Sequence, residues 1–280
     1  MLGRIQAHAL QFDADLLVSA DIDSTRRVLQ GLPAQSRVVI VGGDGSLHQW
    51  LPELVEGPFS VGLVPLGTGN DTARALGLRH LSWKQALTHA LTAPAQACDL
   101  GQLEVEDLIK GQRLYWFISS LAAGFDAEIS ARAQPTRFGL PRYLAATLLA
   151  IRDLRCQRMQ LHVDGQDWPA AEVVLASALN TRTYGSGMPM TPDASMHDGK
   201  LNLVQIQRFS RLGLLGMLPL MLIGKHRWHH KVKHQMFQSL RAQCAVSVAL
   251  AVDGEPVPSA SRWQVRVVPA ALQVVDHLGS

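Results

Sequence analysis

The sequence predicts an α/β plus β protein, in which an open α/β domain precedes a strand-rich domain. Strand-like and helix-like segments alternate over the first hundred residues, whereas strand patterns joined by turn dipeptides dominate beyond them. The small-residue stretch "TAPAQA" (92–97) separates the two patterns. We therefore expect a first domain over residues 1–96, a second over 97–268, and a C-terminal tail, 269–280, that packs back on the first domain.

The first domain should contain two buried parallel strands, each followed by a helix. "RVVIV" (37–41) and "SVGLV" (60–64) are short β-branched runs, and between them apolar residues recur at helical spacing. Pro52 lies within this spacing, so we expect the first of these helices to bend or to begin late. Gly77 can end the short helix after the second strand, and Ser82 is a suitable N-cap for "WKQALTHAL".

The second domain should consist mainly of strands, with helices near 141–154 and 211–223. The predicted strands lie in "RLYWFIS", "MQLHVDGQDWPAAEVVLASALN", "KLNLVQIQ", "CAVSVALAVDGEPV" and "WQVRVVP". Two of these segments contain Asp-Gly, which favours a two-residue hairpin turn.

Composition excludes several classes of protein. Of the 280 residues, 47% are hydrophobic and 18% are charged, which is typical of folded globular chains rather than disordered ones. A net charge of +3 is too small to indicate nucleic-acid binding. Three widely spaced cysteines predict neither a disulfide framework nor a zinc site, and no apolar stretch is long enough for a transmembrane helix. We therefore expect a cytoplasmic protein.

A glycine-rich turn follows the first strand, in "VVIVGGDGSLHQW" (38–50). Glycines let backbone N–H groups approach an anion, and the N-terminus of the next helix carries partial positive charge. The turn completes neither GxGxxG nor GxxxxGK[ST], so an ordinary strand-to-helix turn is equally consistent with it. Asp44 favours a phosphate site, because a carboxylate beside phosphate implies an intervening magnesium ion.

A second turn of the same kind follows the next strand, in "VPLGTGNDTAR" (64–74). Thr68 offers a hydroxyl group, while Asn70 and Asp71 can cap the following helix or contact a ribose or a metal. Both turns leave the carboxyl ends of predicted parallel strands, where open α/β sheets bind their ligands. Two such turns on neighbouring strands support a phosphate site better than either does alone.

Two acidic residues flank a glycine late in the chain, in "DGE" (253–255). Asp-Gly between β-branched runs favours a hairpin turn, and the chain contains a second copy, "DGQ" (164–166), that lacks the second acid. Only the later copy offers two carboxylates for a general base or a metal. A charged hairpin turn without a catalytic role remains the alternative at this point.

Together these motifs resemble the diacylglycerol kinase catalytic family, particularly its bacterial lipid-kinase branch. The GGDGT-type loop of the family corresponds to "GGDGSL", its PxGTxNDxAR-type segment to "PLGTGNDTAR", and its late DGE to residues 253–255. "AAGFDAEI" (122–129) and "NTRTYGSGMPMTPDASMHDGKLNL" (180–203) are similar to further family segments. The resemblance covers residues 19–268, and it differs from many members in having Gln49 where they have Glu.

The resemblance implies a Rossmann-like N-terminal α/β domain that binds the nucleotide and a C-terminal β-sandwich-like domain, with ATP and magnesium in the cleft between them. It implies transfer of the γ-phosphate to a hydroxyl group of a lipid such as diacylglycerol, phosphatidylglycerol or a sphingoid base. Glu255 would be the proton acceptor with Asp253 beside it, and a structural magnesium site would form at Ser195, Asp198 and Lys200. The implied nucleotide-binding residues are Ser19, Gly42, Gly43, Asp44, Gly45, Ser46, Leu47, His48, Gln49, Gly67, Thr68, Asn70 and Asp71.

A lipid substrate would bring the protein to a membrane surface, and "RLGLLGMLPLMLIGKHRWHHKVKH" (211–234) joins apolar residues to basic ones. This combination suits an interfacial anchor at the inner membrane face, although apolar stretches of about 10–14 residues are more often core helices. Four histidines of this run, all expected to be exposed, have helical spacing. A zinc site requires fixed ligand geometry and supporting hydrogen bonds. Exposed histidines in a basic run require neither, so the pattern favours solvated histidines over a zinc site.

Two other functions remain open at this stage. A kinase related to NAD kinases would phosphorylate a soluble hydroxyl group, but the combination of "PLGTGNDTAR" with "DGE" favours the lipid branch. The other alternative is a non-catalytic protein that binds a nucleotide or a lipid. We expect no nucleic-acid partner, and a homodimer is compatible with the sequence.

Overall fold

The computed structural model describes residues 1–18, 21–107, 111–133 and 148–277. Ser19, one of the residues predicted to bind nucleotide, lies outside these ranges. Most of the helix predicted near 141–154 also lies outside them, and its described part, residues 148–152, is helical (α7).

Strands and helices alternate in the N-terminal part of the chain, as predicted. The elements in order are α1 (Leu2–Ala9), α2 (Ile22–Gly31), β1 (Arg37–Gly42), α3 (Asp44–Glu56), β2 (Ser60–Pro65), α4 (Asp71–Ala75) and α5 (Trp83–Thr92). Strands β1 and β2 pair in parallel, with Arg37 opposite Ser60 and Gly42 opposite Pro65. Their carboxyl ends therefore lie side by side and carry the two glycine-rich turns.

Helix α3 shows how apolar spacing outweighs an internal proline. It begins at Asp44 and contains Pro52, so the alternative that it begins late is wrong. Its apolar face is buried against the parallel strands, and this burial stabilises a helix that lacks one backbone hydrogen bond. Helix α5 begins as predicted, with Ser82 and Gln85 forming a capping box.

The C-terminal part is built mainly from strands, and its β-sandwich-like fold is also confirmed. Its elements are β3 (Gln96–Asp107), β4 (Gly111–Phe117), β5 (Ser120–Ala123), α6 (Phe125–Ala133), α7, β6 (Gln157–Val163), β7 (Gln166–Asp167), β8 (Ala171–Leu179), β9 (Leu201–Gln207), α8 (Arg211–Leu222), β10 (Val232–Phe237), β11 (Ser239–Val252) and β12 (Glu255–Val274). The pairings among β3 to β12 are antiparallel.

Both Asp-Gly dipeptides form two-residue hairpin turns with left-handed backbone, as predicted. Asp164 and Gly165 join β6 to β7, and Asp253 and Gly254 join β11 to β12. The φ angles are +47° and +82° in the first turn and +50° and +87° in the second. Positive φ at both central residues is typical of the type I′ turn, which Asp-Gly favours.

Strand β12 connects the two parts of the molecule. It runs antiparallel to β11 and β3 along most of its length, and at its end Gln273 and Val274 pair in parallel with Ser60 and Val61 of β2. Because β12 starts at the 253–254 turn and ends beside β2, one continuous strand links that turn to the parallel strands that carry the glycine turns. Among the described residues, no helix combines the length and the apolar character needed to cross a bilayer.

Candidate active site

The two glycine turns touch each other at the carboxyl ends of β1 and β2. A Cβ atom on Gly67 would lie 2.7 Å from Cα of Gly43 and 2.6 Å from Oδ1 of Asn70. A Cβ atom on Gly43 would lie 3.0 Å from Cα of Gly67. A side chain at Gly67 would therefore force the backbone to shift and one at Gly43 would be tightly packed, so the two turns form one joined surface.

The N-terminus of α3 opens onto this joined surface. Gly43 is its N-cap, and no side chain caps the first N–H groups of this 13-residue helix. Gly45 and Ser46, in its first turn, are exposed. An uncapped helix N-terminus presents N–H donors and partial positive charge, which favour an anion such as phosphate. Thr68, at the tip of the second turn, is also exposed.

The Asp44 carboxylate joins the two turns instead of facing solvent. Its Oδ2 accepts a hydrogen bond from the Asp71 backbone N–H (2.8 Å), and its Oδ1 accepts one from Thr72 (3.1 Å). Asp44 therefore caps α4, whereas the sequence predicts Asn70 or Asp71 as the capping residue. The Asn70 backbone is left-handed and its amide donates to the Gly67 carbonyl, 2.6 Å away, so its side chain does not cap α4. Burial raises the pKa of Asp44, and the nearby charge of Asp71 adds to this.

Asp71 connects α4 to the loop that follows β8. Its carboxylate accepts hydrogen bonds from Arg74 Nη1 (2.6 Å), Thr183 Oγ1 (2.8 Å) and the Ser186 backbone N–H (2.8 Å). Burial raises the pKa of Asp71, while these donors and the charge of Arg74 oppose the rise. The sequence predicts Asp71 at the site but not its contacts with Thr183 and Ser186, which lie more than one hundred residues away in the chain.

The side chain of Asp253 is buried and holds the chain between β4 and β5 through its carboxylate. It accepts hydrogen bonds from the backbone N–H groups of Ile118 (3.0 Å), Ser119 (2.8 Å) and Ser120 (3.0 Å). His48 Nδ1, on α3, lies 3.2 Å from the same carboxylate. With its side chain 1% exposed and four donors around it, Asp253 is a positioning residue rather than a free base.

Glu255 is the exposed acid of the "DGE" turn. Its Oε1 lies 3.6 Å from the position that a Cβ atom on Gly45 would take, so it lies beside the first turn of α3. Burial lowers the pKa of the neighbouring His48, but the hydrogen bond and charge of Asp253, with the charge of Glu255, outweigh burial and raise it overall. The site thus combines an exposed carboxylate with a histidine that is more readily protonated than a free one.

The remaining predicted nucleotide-binding residues are not all available to a ligand. The Leu47 side chain is buried in the core beneath α3, so only its backbone could take part. Gln49 is exposed, and Gly42 ends β1 next to the first turn.

The predicted acids already accept hydrogen bonds from the protein. The carboxylates of Asp44, Asp71 and Asp253 each accept from two or more protein donors. Within the described ranges there is no cluster of three or more His, Cys, Asp or Glu residues that could hold a metal. The four donors to Asp253 take the acceptor positions that a cation would need, whereas Asp44 accepts only two hydrogen bonds, so magnesium near Asp44 stays a prediction.

The residues proposed for a second magnesium site lie in the loop before β9. Oδ1 of Asp198 accepts a hydrogen bond from the Lys200 N–H (3.0 Å), and Oγ of Ser195 accepts one from His197 (3.2 Å). Asp99, which sequence reasoning missed, binds this loop through Gly199 (2.6 Å). No described hydrogen bond joins residues 195–200 to the glycine turns, and the metal site there stays a prediction.

The histidine-rich run after α8 also lacks a metal cluster in the part of the chain that the structure describes. His226 is fully buried, which contradicts the expectation that all four histidines are exposed. Burial and the charges of His226 and Arg227 lower the pKa of His234 to about 4.

Two family models match the chain, one over its N-terminal part and one over its C-terminal part. Residues 4–103 match the diacylglycerol kinase catalytic domain, and residues 119–276 match the YegS C-terminal NAD kinase beta sandwich-like domain. The second match alone spans more than half of the chain.

Two relatives of known name also match most of this chain. A protein named diacylglycerol kinase from Mycobacterium tuberculosis is 31% identical over 266 residues, which cover 92% of this chain and 83% of the relative. A protein named "Probable lipid kinase YegS-like" from Shewanella frigidimarina is 26% identical over 253 residues, which cover 85% of this chain and 76% of that relative.

Solved structures show the same fold at low identity. A diacylglycerol kinase from Bacillus anthracis matches with a TM-score of 0.71 at 15% identity, covering 99% of this chain and 92% of that one. Yeast NADH kinase matches with a TM-score of 0.51 at 10% identity, and the match covers 96% of this chain and 78% of that one. From the family models and the 31% identity, we conclude that this chain belongs to the diacylglycerol kinase catalytic-domain family, in its bacterial lipid-kinase branch.

Proposed function

We propose that this protein transfers the γ-phosphate of ATP to a hydroxyl group of a membrane lipid, with diacylglycerol as the first candidate. The observation that carries this proposal is the position of Glu255 beside Gly45, where an exposed carboxylate meets the uncapped N-terminus of α3. The relative with 31% identity is named diacylglycerol kinase, which supports diacylglycerol as the acceptor.

The joined glycine surface fits the phosphates of ATP. Close contact between Gly43 and Gly67 leaves no room for side chains between the two turns, and no side chain caps the first N–H groups of α3. Oδ1 of Asn70 is buried without a hydrogen-bond partner in the described chain, so an acceptor is available for a ligand donor. ATP would supply the phosphoryl group, and the protein would supply position and charge.

Glu255 would accept the proton of the lipid hydroxyl group as the hydroxyl oxygen attacks the γ-phosphorus and the bond from that phosphorus to ADP breaks. Asp253 would keep Glu255 in place, because its hydrogen bonds fix the β11–β12 turn against residues 118–120. His48 would contribute positive charge near the phosphates through its raised pKa. No described cluster of side chains could hold magnesium by itself, and we derive no step through that ion.

The test is single-turnover transfer of labelled γ-phosphate by the wild type and by Glu255→Gln. Removing a general base typically slows the chemical step by about 10²–10⁴-fold, whereas nucleotide binding should change little. Glu106→Gln is the matched control, because Glu106 is also an exposed strand glutamate but lies on β3. A Glu255→Gln rate equal to that of the wild type would contradict the assigned base.

Acceptor choice is tested in the same assay with diacylglycerol, phosphatidylglycerol, a sphingoid base and NAD. Transfer to a lipid supports the proposal, and transfer to NAD alone would favour the soluble-substrate alternative. Nucleotide binding without transfer to any acceptor would favour the non-catalytic alternative.

A further inference from the structure

A serine occupies the tip of the loop that follows β8, in a backbone conformation that favours glycine. Residues 185–187 ("GSG") all have positive φ, and Ser186 has a φ of +69° between the two glycines. Residues other than glycine are uncommon in this region, and such exceptions cluster at binding and active sites. Serine therefore carries a cost in stability here that glycine would not, and the hydroxyl group is the feature that glycine lacks.

The tip of this loop is fixed in place at its base and at Ser186 itself. Tyr184 and Met188, on either side of the tip, are buried and exchange two backbone hydrogen bonds (3.0 and 2.9 Å). The Ser186 N–H donates to Oδ2 of Asp71 (2.8 Å). The backbone that carries the serine hydroxyl group is therefore held against the second glycine turn.

The Ser186 side chain lies beside that turn. A Cβ atom on Gly69 would lie 3.3 Å from Oγ of Ser186 and 3.7 Å from Oδ2 of Asp44. Ser186 is partly exposed, and its hydroxyl group forms no hydrogen bond with a described residue. The C-terminal part of the chain therefore supplies a hydroxyl group, available to a ligand, at the edge of the joined glycine surface.

We propose that the Ser186 hydroxyl group binds a neutral oxygen in the headgroup of the lipid acceptor, either the hydroxyl group that takes the phosphate or the ester carbonyl beside it. This inference rests on the proposed function and names a residue that helps to select its acceptor. The glycine turns belong to the N-terminal part of the chain and Ser186 to the C-terminal part. ATP and the acceptor would thus be held by different parts of the chain that meet at Gly69.

A neutral headgroup oxygen fits this position better than a phosphate oxygen of ATP. The carboxyl group of Asp44 lies beside the same turn, and that of Asp71 accepts from the Ser186 N–H. Arg74 offsets only one of these acids, through its ion pair with Asp71 (2.6 Å). Two carboxyl groups beside one guanidinium disfavour an anion, whereas a hydroxyl group or a carbonyl is uncharged, and the serine hydroxyl can donate or accept.

The test is steady-state transfer of labelled γ-phosphate to a water-soluble short-chain diacylglycerol by the wild type, Ser186→Ala and Ser186→Gly. Alanine removes the hydroxyl group and keeps a Cβ atom, whereas glycine removes both. Loss of one neutral hydrogen bond should raise the KM for diacylglycerol about 2–12-fold in both variants, while the KM for ATP stays as in the wild type. With an ether-linked analogue, loss of the difference between wild type and Ser186→Ala assigns the contact to the ester carbonyl, and persistence assigns it to the hydroxyl group.

Folding stability separates this contact from a structural role of the side chain. Ser186→Gly relieves the strain of positive φ, so its midpoint of thermal unfolding should not fall although its KM for diacylglycerol rises. Gln35→Gly is the matched control, because Gln35 also has positive φ (+65°) but is exposed before β1. This control should leave the KM for diacylglycerol unchanged.

Three results would overturn the proposal: a wild-type KM for diacylglycerol in Ser186→Ala, an increase in Ser186→Ala that is absent from Ser186→Gly, or an equal increase in the KM for ATP. The second result would assign the effect to the Cβ atom, and the third would assign the hydroxyl group to the nucleotide. Calorimetric binding of the same diacylglycerol separates this inference from the proposed function. If no lipid is phosphorylated but Ser186→Ala binds diacylglycerol more weakly than the wild type, the proposed function fails while the acceptor contact stands. Equal binding by the two proteins would overturn the contact.

Discussion

Replacement of Asp253 by Asn tests whether this residue positions the site or acts as a base. In the variant, one amide oxygen can still accept from Ser119 and Ser120, which both bind Oδ1 in the wild type. The amide NH₂ group would then face the N–H of Ile118 and Nδ1 of His48, which both bind Oδ2. The loss of charge and the unsatisfied buried N–H together predict a decrease of about 2–4 kcal/mol in the free energy of unfolding.

The pH dependence of this decrease distinguishes the His48 contact from the backbone contacts. Because the pKa of His48 is raised in the folded protein, its stabilising contribution is fully present below the unfolded pKa, about 6.5, and is lost as the pH rises through the folded pKa. The difference between wild type and variant should therefore be larger at pH 6 than at pH 9. Urea denaturation followed by circular dichroism measures it.

The chain supplies a matched control in the other Asp-Gly turn. Asp164 has nearly the same φ as Asp253, but its exposed side chain accepts from Gln238 (2.9 Å) and Ser239 (2.8 Å) through Oδ1 only. Asn can supply that oxygen, so Asp164→Asn should lower the free energy of unfolding by less than about 0.5 kcal/mol. Equal effects of the two substitutions, or a difference that does not change with pH, would refute this account of Asp253.

Two further substitutions test the glycine contact and a buried acid. Gly67→Ala places a Cβ atom 2.7 Å from Cα of Gly43, so we expect at least about tenfold weaker binding of a fluorescent ATP analogue. Gly31→Ala, where a Cβ atom meets no atom within 4 Å, should bind normally, and equal affinity of the two variants would contradict the joined surface. Burial raises the pKa of Asp126 to about 7, so folding stability should fall as the pH rises from about 4 to about 7. Asp126→Asn should remove this pH dependence and stabilise the protein above pH 7 by at most about 4 kcal/mol. An unchanged denaturation midpoint of the variant at pH 8 would contradict the raised pKa of Asp126.

Local patterns in the sequence were sufficient to predict most of the helices, strands and turns. The β-branched runs around the glycine turns, the capping box at Ser82 and the two Asp-Gly hairpins each depend on residues within a few positions of one another. Such features are determined by backbone sterics and nearest-neighbour hydrogen bonds, so the chain order reveals them. Pro52 shows the limit of this approach, because burial of the α3 face compensates for a local penalty.

The roles of the acidic residues depended on the tertiary structure. By sequence, Asp44, Asp253 and Glu255 were all candidates for metal binding or proton transfer. The fold places backbone N–H donors around the first two and leaves Glu255 exposed beside Gly45. The donors to Asp253 lie more than one hundred residues away in the chain.

The sequence by itself determined the order of strands and helices, the glycine turns, the type of hairpin and the family of this protein, because these follow from short-range spacing and from motifs. Only the tertiary structure decided which carboxylate is exposed beside Gly45 and which side of α8 faces solvent. Both depend on which groups are buried together, and burial is set by contacts between distant segments.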